Sequence, residues 1–555
     1  MLTILANHIN TTQTSAFPYL PLLVLTPFLL AMALPFIAKN ANDKDKATKI
    51  AATTITLLTF FISIAMLLDF DFQNTAEMQF VTQISWMPQL GIHFGFGINA
   101  ISLWLILLTT FLMPIVVISS FSVVKERLAE FYLLLLLLQG AMIGVFVATD
   151  ILFFYICFEF TLIPLYFLIG VYGSSQRLKA ARLLFFYTFT GSMITLAGIL
   201  YVAWFASQIT GQWSFAIQDL ILAAKTMSPD QQFWVMLAML AGFAVKVPIF
   251  PFHTWLPYAH TEAPTAGSVV LAGVLLKLGT YAILTIAIPM LPHAVLIVAP
   301  YVGMLAICGI IYTALICWVQ KDIKKLVAYS SVSHLGFCVL GMFAINTQGG
   351  EGAVMYMVNH GLSTGALFIC IGMIYERFHT REMQQYSGFA KVMPIWSFFM
   401  VYFCFASVGL PGLNGFIGEF LCLIGAFQSQ ALASQGNSVY YAAFAGVGMI
   451  LAAIYLLFLI GKVVFGPVKI PDSSHGTIKD LSKREIATLV PPALACLYFG
   501  LFPSPMLRSM DAPIDQINQP TLELINQNIN GINALQTSLP TALQKTANFH
   551  AGNLK

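Results

Sequence analysis

Long apolar runs follow one another along almost the whole chain. A run of about 20 apolar residues in a helix spans the hydrocarbon core of a lipid bilayer, which is roughly 30 Å thick. Such runs lie at roughly 18–38, 50–70, 98–122, 131–148, 150–171, 183–207, 232–258, 265–289, 295–318, 323–344, 353–375, 393–425, 439–465 and 487–505. The pattern predicts an all-α polytopic membrane protein with fourteen transmembrane helices, numbered here in chain order.

Composition excludes the other broad classes of protein. Hydrophobic residues make up 58% of the chain and charged residues only 9%, whereas soluble proteins carry about 25% charged residues. No basic stripe of the kind that binds nucleic acid is present. The eight cysteines lie singly in or near apolar runs and form no C-x-x-C pair. We therefore predict neither a disulfide nor a cysteine metal site.

Basic residues are distributed unevenly between the two sides of the membrane. Twenty of the 26 lysines and arginines fall in loops that follow odd-numbered helices, and four fall on the other side. The twenty include the loop residues Lys321, Lys324 and Lys325. By the positive-inside rule, the odd-numbered loops face the cytoplasm and both termini face away from it. The polar tail, residues 510–555, is expected to lie outside the membrane and to be either partly helical or disordered.

Two predicted helices are interrupted at corresponding positions. Helix 7 contains FAVKVPIFPF (243–252) and helix 12 contains FASVGLPGLNGF (405–416). Helices five apart run in opposite directions, so helices 4–8 and 9–13 are predicted to form inverted five-helix repeats, with the transport site at the broken helices. The alternative is that proline and glycine are simply common in membrane helices. The predicted domains are 1–125 with helices 1–3, 126–290 with the first repeat, 291–466 with the second repeat, and 467–555 with helix 14 and the tail.

Six ionisable residues are predicted to lie at membrane depth within these segments. They are Glu159 on helix 5, Lys246 on helix 7, Lys277 on helix 8, His334 on helix 10, His360 on helix 11 and Glu419 on helix 12. A lysine at the centre of a spanning helix costs about 2.5–3.5 kcal/mol on insertion scales. Burial favours the neutral form of both carboxylic acids and lysines, and histidine ionises near neutral pH. Such groups, with water between them, can pass a proton, so they are candidate functional residues.

Each candidate also has a structural interpretation. The two glutamates and two lysines could form static buried ion pairs, and His360 could be a hydrogen-bonded core residue. A metal site is a weaker alternative, because its ligands would be limited to His253, His260 and Glu262. At the starts of helices 5 and 10, Asp150 and Asp322 are expected to be structural, since carboxylates favour helix N-termini.

Three motifs resemble one family closely. They are HTWLPYAHTEAPTAGSVVLAGVLLKLGTYAI (253–283), KDIKKLVAYSSVSHLGF (321–337) and GLPGLNGFIGEFL (409–421). These resemble the antiporter-like membrane subunits of the proton-pumping NADH:quinone oxidoreductase, and among them the M-type (chain 4) subunits of the bacterial enzyme. The resemblance covers about residues 90–505. Related L-type, N-type and sodium/proton antiporter subunits carry lysine at the position of Glu419. Tyr258 departs from many relatives, which have aspartate there.

The resemblance implies a role for each matched residue. Glu159 and Lys246 would form the coupled pair of a first half-channel, and Lys277 would bridge to the centre. Two central relay groups, His334 and His360, would lead to the terminal site, Glu419. The chain would hold no cofactor, since flavin, iron–sulfur clusters and quinone belong to partner subunits of that enzyme.

The same resemblance predicts the setting of the chain. It would lie in the bacterial inner membrane with both termini on the periplasmic side, beside L-type and N-type neighbours, as an enzyme subunit without a redox centre. Two other classes of function remain open. One is a secondary sodium/proton antiporter or its subunit. The other is a membrane scaffold that only holds its neighbours together, which would leave the buried charges without a purpose.

Overall fold

Helices in the computed structural model follow the predicted apolar runs. The structure describes residues 17–40, 43–435, 438–471 and 479–538. Its long helices are α1 (Tyr19–Asn40), α2 (Lys44–Asp69), α3 (Ala100–Ser119), α4 (Leu128–Val147), α5 (Ile151–Tyr172), α6 (Arg177–Thr210), α7a (Pro229–Lys246), α7b (Trp255–Glu262), α8 (Thr265–Met290), α9 (Pro292–Val319), α10 (Ile323–Phe343), α11 (Thr347–Phe378), α12a (Pro394–Val408), α12b (Asn414–Gln428), α13 (Ser438–Val463), α14 (Lys483–Leu501) and α15 (Ser504–Ser538). Shorter helices at Ile217–Ala224 and Phe389–Val392 lie between them.

The number of continuous spans is smaller than the fourteen predicted. Within the described ranges, eleven helices are long and apolar enough to cross a membrane, and a twelfth results if α14 and the first part of α15 count as one span bent by 70°. Predicted helices 7 and 12 are missing from this count because each is divided into two shorter helices. Both predicted interruptions are therefore confirmed.

Two aspartates begin helices as expected. The Oδ1 atom of Asp150 accepts two backbone N–H groups of the first turn of α5, at 2.8 and 3.2 Å. Similarly, Asp322 Oδ1 accepts two N–H groups of the first turn of α10, at 2.8 and 3.1 Å. Each carboxylate satisfies backbone donors that have no partner within the helix. Their predicted structural role is confirmed.

The all-α prediction is wrong in one place. A β-hairpin precedes α3, formed by β1 (Gln79–Met87) and β2 (Ile92–Ile98), which pair antiparallel. Its turn contains Gly91 with φ of 65°, and a Cβ there would lie 2.1 Å from the carbonyl oxygen of Trp213. The strands are short and only partly apolar, so the sequence contains no apolar run of helical length at the hairpin.

The polar tail is partly helical, which is one of the two states expected for it. Residues 504–538 form the long helix α15, which includes Pro513 and Pro520. One face is buried against the rest of the protein through residues that include Met510, Ile514 and Ile525. Residues 539–555, the rest of the predicted tail, lie outside the described residues.

Three helices make up the centre of the molecule. In α11 every residue of the most apolar 18-residue window is buried, and in α8 and α10 the buried share is 94%. The corresponding share is only 33% in α2 and 39% in α13, whose apolar side chains are exposed on the outer surface. Polar residues of α8, α10 and α11 are therefore shielded by the other helices.

Backbone contact between α11 and α12b depends on glycine. A Cβ added to Gly352 would lie 2.7 Å from the backbone nitrogen of Cys422 and 2.8 Å from the Cβ of Leu421. Separations below 3.0 Å are not tolerated, so a side chain at Gly352 would push the two helices apart.

We expect Gly352→Val to destabilise the protein by about 1–3 kcal/mol, the usual cost of overpacking. The matched control is Gly461→Val, because no atom lies within 4 Å of a Cβ there. Both variants replace a helical glycine by valine, so the control carries the same change in helix propensity. Thermal unfolding in detergent measures the effect. Equal midpoints for the two variants would contradict the contact.

Candidate functional site

A buried lysine lies at the centre of the candidate site. Lys277 on α8 is 0% exposed. Its Nζ atom donates to the carbonyl oxygen of Ala272 and lies 2.7 Å from Nδ1 of His360 on α11. The structure therefore brings together two of the predicted residues from two different helices.

Local widening of α8 accompanies this contact. The helix contains two π-helical turns, Leu271–Leu275 and Ile283–Ala287, on either side of Lys277. Such turns are rare and occur frequently at functional sites, because they change which carbonyl groups the helix itself uses. Ala272, which accepts from the ammonium group, lies in the first of these turns.

A hydrogen-bonded group continues from the second predicted histidine. The rings of His360 and His334 have centroids 5.8 Å apart. The Nδ1 atom of His334 lies 2.5 Å from the hydroxyl of Tyr356, which in turn donates to the carboxylate of Glu419. His334 Nδ1 also lies 3.4 Å from Oε1 of Glu419. Together these side chains lead from α8 through α11 and α10 to α12b.

The break in α12 leaves space for this carboxylate. Gly409, which ends α12a, has φ of 81°, a conformation that favours glycine. A Cβ on Gly409 would lie 2.6 Å from Oε2 of Glu419. The carboxylate is fully buried, and its Oε2 atom has no hydrogen-bond partner in the described part of the chain. Glycine is required at 409 both for backbone geometry and for the closeness of Glu419.

In the first half, the predicted lysine makes different contacts. Lys246 is the last residue of α7a and is 7% exposed. Its Nζ atom donates to the hydroxyl of Thr161 at 2.9 Å and to the carbonyl of Phe158 at 3.4 Å. It also lies 4.6 Å from the centre of the Phe158 ring, a cation–π contact. Thr161 lies where the turns of α5 are irregular.

Glu159 does not pair directly with this lysine. The two groups interact electrostatically, and Glu159 also faces Ser192 of α6. They form no salt bridge within 4.0 Å. A static ion pair therefore does not describe Glu159 and Lys246 in this structure.

A small cavity lies next to Lys246. It has a volume of about 10 Å³ and is bounded by Lys246, Trp255, Leu271 and Leu276. This is close to the minimum volume that holds one water molecule. The cavity connects Lys246 to the turn of α8 that precedes Lys277, so a single water could lie between the two halves.

Residues that the sequence interpretation did not select also belong to this region. Tyr356 links two predicted residues, and Tyr455 lies 3.3 Å from Nε2 of His334. The ring of His260 is fully buried, stacks on Phe368 at 4.7 Å, and has no hydrogen-bond partner on either nitrogen in the described chain. Spacing could have identified Tyr356, which precedes His360 by four residues and so lies on the same helix face.

The prediction that Lys324 lies in a loop is wrong. Lys324 lies in the first turn of α10, is 7% exposed, and donates to the carbonyl of Ala263 at 2.6 Å. It borders a cavity of about 180 Å³ that also includes Glu262 and Arg381. This volume has room for several water molecules. A lysine beside a helix cap looks like a loop residue in sequence, because the fold that covers it comes from distant segments.

The side chains considered for metal binding have other partners. Glu262 accepts from the hydroxyl of Ser174 at 2.9 Å and from the backbone N–H of Gln176 at 2.8 Å. His253 stacks on Phe250 with ring centroids 5.6 Å apart. Among the residues with described coordinates, no group of three or more histidine, cysteine, aspartate or glutamate residues has the geometry of a metal site. All eight cysteines are free thiols.

Comparison with known proteins matches this chain and its fold to one family. The family model described as NADH:quinone oxidoreductase/Mrp antiporter, TM matches residues 148–445. The NADH-quinone oxidoreductase subunit M of Rhodobacter capsulatus is 41% identical, over 87% of this chain and 93% of the relative. The NADH-ubiquinone oxidoreductase chain 4 of Marchantia polymorpha is 40% identical, over 90% and 96%.

A solved structure gives the same result. A chain of the respiratory complex I from Thermus thermophilus with bound NADH superimposes with a TM-score of 0.79 at 28% identity, covering 90% of this chain and 99% of that one. The family model covers more than half of the chain, and the relatives are matched over almost their full length. The chain therefore belongs to the NADH:quinone oxidoreductase/Mrp antiporter membrane family, as an M-type (chain 4) antiporter-like subunit of complex I.

Proposed function

We propose that this chain pumps protons as a membrane subunit of NADH:quinone oxidoreductase, through a buried relay of glutamate, lysine and histidine side chains. The observation that carries the proposal is the series of contacts from Lys277 to Glu419, through His360, His334 and Tyr356, across the four helices α8, α11, α10 and α12b. Every member is at most 3% exposed. Each can gain or lose a proton, which apolar packing does not require.

Proton transfer along this relay follows from the donors and acceptors. The ammonium of Lys277 donates toward His360, whose ring can carry the proton on its other nitrogen. The Tyr356 hydroxyl lies between His334 and Glu419 and can accept from one while it donates to the other. A charge that arrives at one group changes the proton affinity of its neighbours, so the groups titrate together.

Lys246 supplies protons to this relay in our proposal. Its ammonium is stabilised by Thr161 and by nearby Glu159. Neutralisation or movement of Glu159 would weaken that stabilisation, and the proton would pass through water toward Lys277. We propose that quinone reduction elsewhere in the enzyme drives this alternation, with flavin, iron–sulfur clusters and quinone held by other subunits.

The membrane arrangement of the chain is part of the proposal. We propose fourteen crossings, in which α7a with α7b and α12a with α12b each count as one broken span, and inverted repeats formed by predicted helices 4–8 and 9–13. The distribution of basic residues supports a cytoplasmic location for the odd-numbered loops. The setting would be a bacterial inner membrane, with both termini in the periplasm and L-type and N-type subunits as neighbours.

Replacement of Lys246 by arginine distinguishes a relay from an anchor. Arginine keeps the positive charge but does not release its proton in a protein. We expect Lys246→Arg to assemble and to lose proton pumping by about 100-fold or more, the usual contribution of a proton-transfer group. Lys246→Met should lose pumping as well. The measurement is proton uptake by reconstituted vesicles during NADH oxidation.

The control for this experiment is Lys225→Arg. Lys225 follows the short helix Ile217–Ala224, outside the buried relay. The Lys225→Arg variant should assemble and pump protons at the rate of the unchanged enzyme. An assembled Lys246→Arg enzyme that pumps at a near-normal rate would refute the relay role and leave Lys246 as an anchor.

Removal of one hydroxyl tests the second half. We expect Tyr356→Phe to lower proton pumping about tenfold or more, because it removes a hydrogen bond to a charged group, worth about 1.5–3 kcal/mol. The same change at Tyr402, whose hydroxyl donates to the Ala493 carbonyl at 2.7 Å, serves as control. Both variants lose one tyrosine hydroxyl. Equal pumping rates would show that His334 and Glu419 exchange protons without Tyr356.

Cysteine labelling tests the proposed orientation. In a Cys308→Ala background, Leu178→Cys and Glu523→Cys each introduce an exposed thiol. An impermeant maleimide should label position 523 from the periplasmic side of intact cells and label position 178 only after the cells are opened. The reverse pattern would invert the topology, and labelling of both positions from outside would remove the basis for the helix count.

A further inference from the structure

The start of α11 is joined closely to the last described helix. A Cβ on Gly350 would lie 2.4 Å from the side chain of Ile514 on α15. Beside this contact, the hydroxyl of Thr347 donates to Oδ1 of Asp515 at 2.6 Å. Two segments that are more than 160 residues apart in sequence therefore depend on each other here.

An unusual carboxyl group lies in this contact. Glu351, in the second turn of α11, is only 8% exposed, and its Oε1 atom is buried without a hydrogen-bond partner in the described chain. The ionisable groups of α15 that face it are two carboxylic acids, Asp511 and Asp515. On the opposite side, α12b contacts this part of α11 through uncharged groups, including Gly425 and Cys422. The charged groups that face Glu351 are thus acidic.

Two ionised carboxylates cannot make this contact. Each would only accept hydrogen bonds, and their charges would repel. A single proton between them provides the missing donor. Glu351 is buried, and an ionised oxygen without a donor is far more costly to bury than a neutral one.

We propose that Glu351 and Asp511 form a shared-proton site that holds α15 against the start of α11. This site is separate from the proposed relay and does not depend on the function of the relay. The closed contact binds one proton more than the open one. Its stability is therefore complete at low pH and decreases as the pH rises.

The position of the site gives it a consequence for the centre of the protein. Glu351 precedes Tyr356 by five residues, a rise of about 7.5 Å along the helix. Asn346, just before α11, also donates to the carbonyl of Gly425 at 2.8 Å. The first turns of α11 are thus held between α12b and α15. Release of α15 at high pH would leave the helix that carries Tyr356 supported on one side only.

Hydrogen–deuterium exchange of the whole complex in lipid nanodiscs tests this site. The readout is the protection factor of α15 peptides within residues 504–525, which is corrected for the intrinsic effect of pH. Between about pH 6 and about pH 10, well above the range in which an exposed glutamate ionises, we expect protection to fall. Once Glu351 ionises, the fall should approach tenfold per pH unit.

Variants separate this proton from other causes. Glu351→Gln supplies an amide donor that does not ionise, so the protection of α15 in this variant should be independent of pH. Asp511→Asn should behave in the same way. It replaces Glu351→Gln in the experiment if that variant fails to assemble. The matched control, Glu523→Gln, removes an exposed carboxylate of the same helix and should keep the pH dependence.

Three results would overturn the proposal. The first is that protection of α15 in the unchanged protein does not vary with pH. The second is that the Glu351→Gln or Asp511→Asn variant keeps the pH dependence of the unchanged protein. The third is that a metal chelator removes the protection at neutral pH. The last would mean that a divalent cation joins the carboxylates.

Discussion

The burial of the Lys277 ammonium group is the constraint on which the site depends. Removing an ion from water costs several kcal/mol even after the protein relaxes around it. Here the compensation comes from a backbone carbonyl, that of Ala272, and from the ring of His360. The carbonyl is available because α8 widens into a π-helical turn, and the histidine is available because α11 is packed entirely inside the protein. Loss of the proton would remove much of the cost, and our proposal assigns proton exchange to Lys277 for this reason.

The two halves of the site are not equally connected. Hydrogen bonds join Lys277 to His360, and His334 through Tyr356 to Glu419, while the rings of His360 and His334 lie 5.8 Å apart. Between Lys246 and Lys277 the structure has instead apolar side chains and a cavity of about 10 Å³. A proton can cross such a gap only when a water molecule occupies it. In our proposal, this gap controls proton transfer from Lys246 to Lys277. The relay from Lys277 to Glu419 then carries the proton onward.

The sequence was sufficient for much of this architecture, for definite physical reasons. Apolar runs of membrane length locate helices, because lipid offers no partner for an unpaired backbone group. Prolines and glycines located both helix breaks, and rare ionisable residues located the interior. What failed depended on contacts between distant segments. The burial of Lys324 depends on the Ala263 region, and Tyr356 acquires its role only when α10 and α12b pack against α11. The hairpin before α3 was missed because partly exposed strands leave no long apolar run.

The positions of the two breaks account for the sign of the charge beside each. A helix ends in a partial negative charge at its C-terminus and begins with a partial positive charge at its N-terminus. Lys246 is the last residue of α7a, where a cation is favoured. Glu419 is the sixth residue of α12b, where the positive end of that half-helix still favours a carboxylate, although more weakly because the effect declines beyond the first turn. The breaks thus bring helix ends of opposite sign to the buried charges. An uninterrupted helix at either place would bury the same group without this stabilisation.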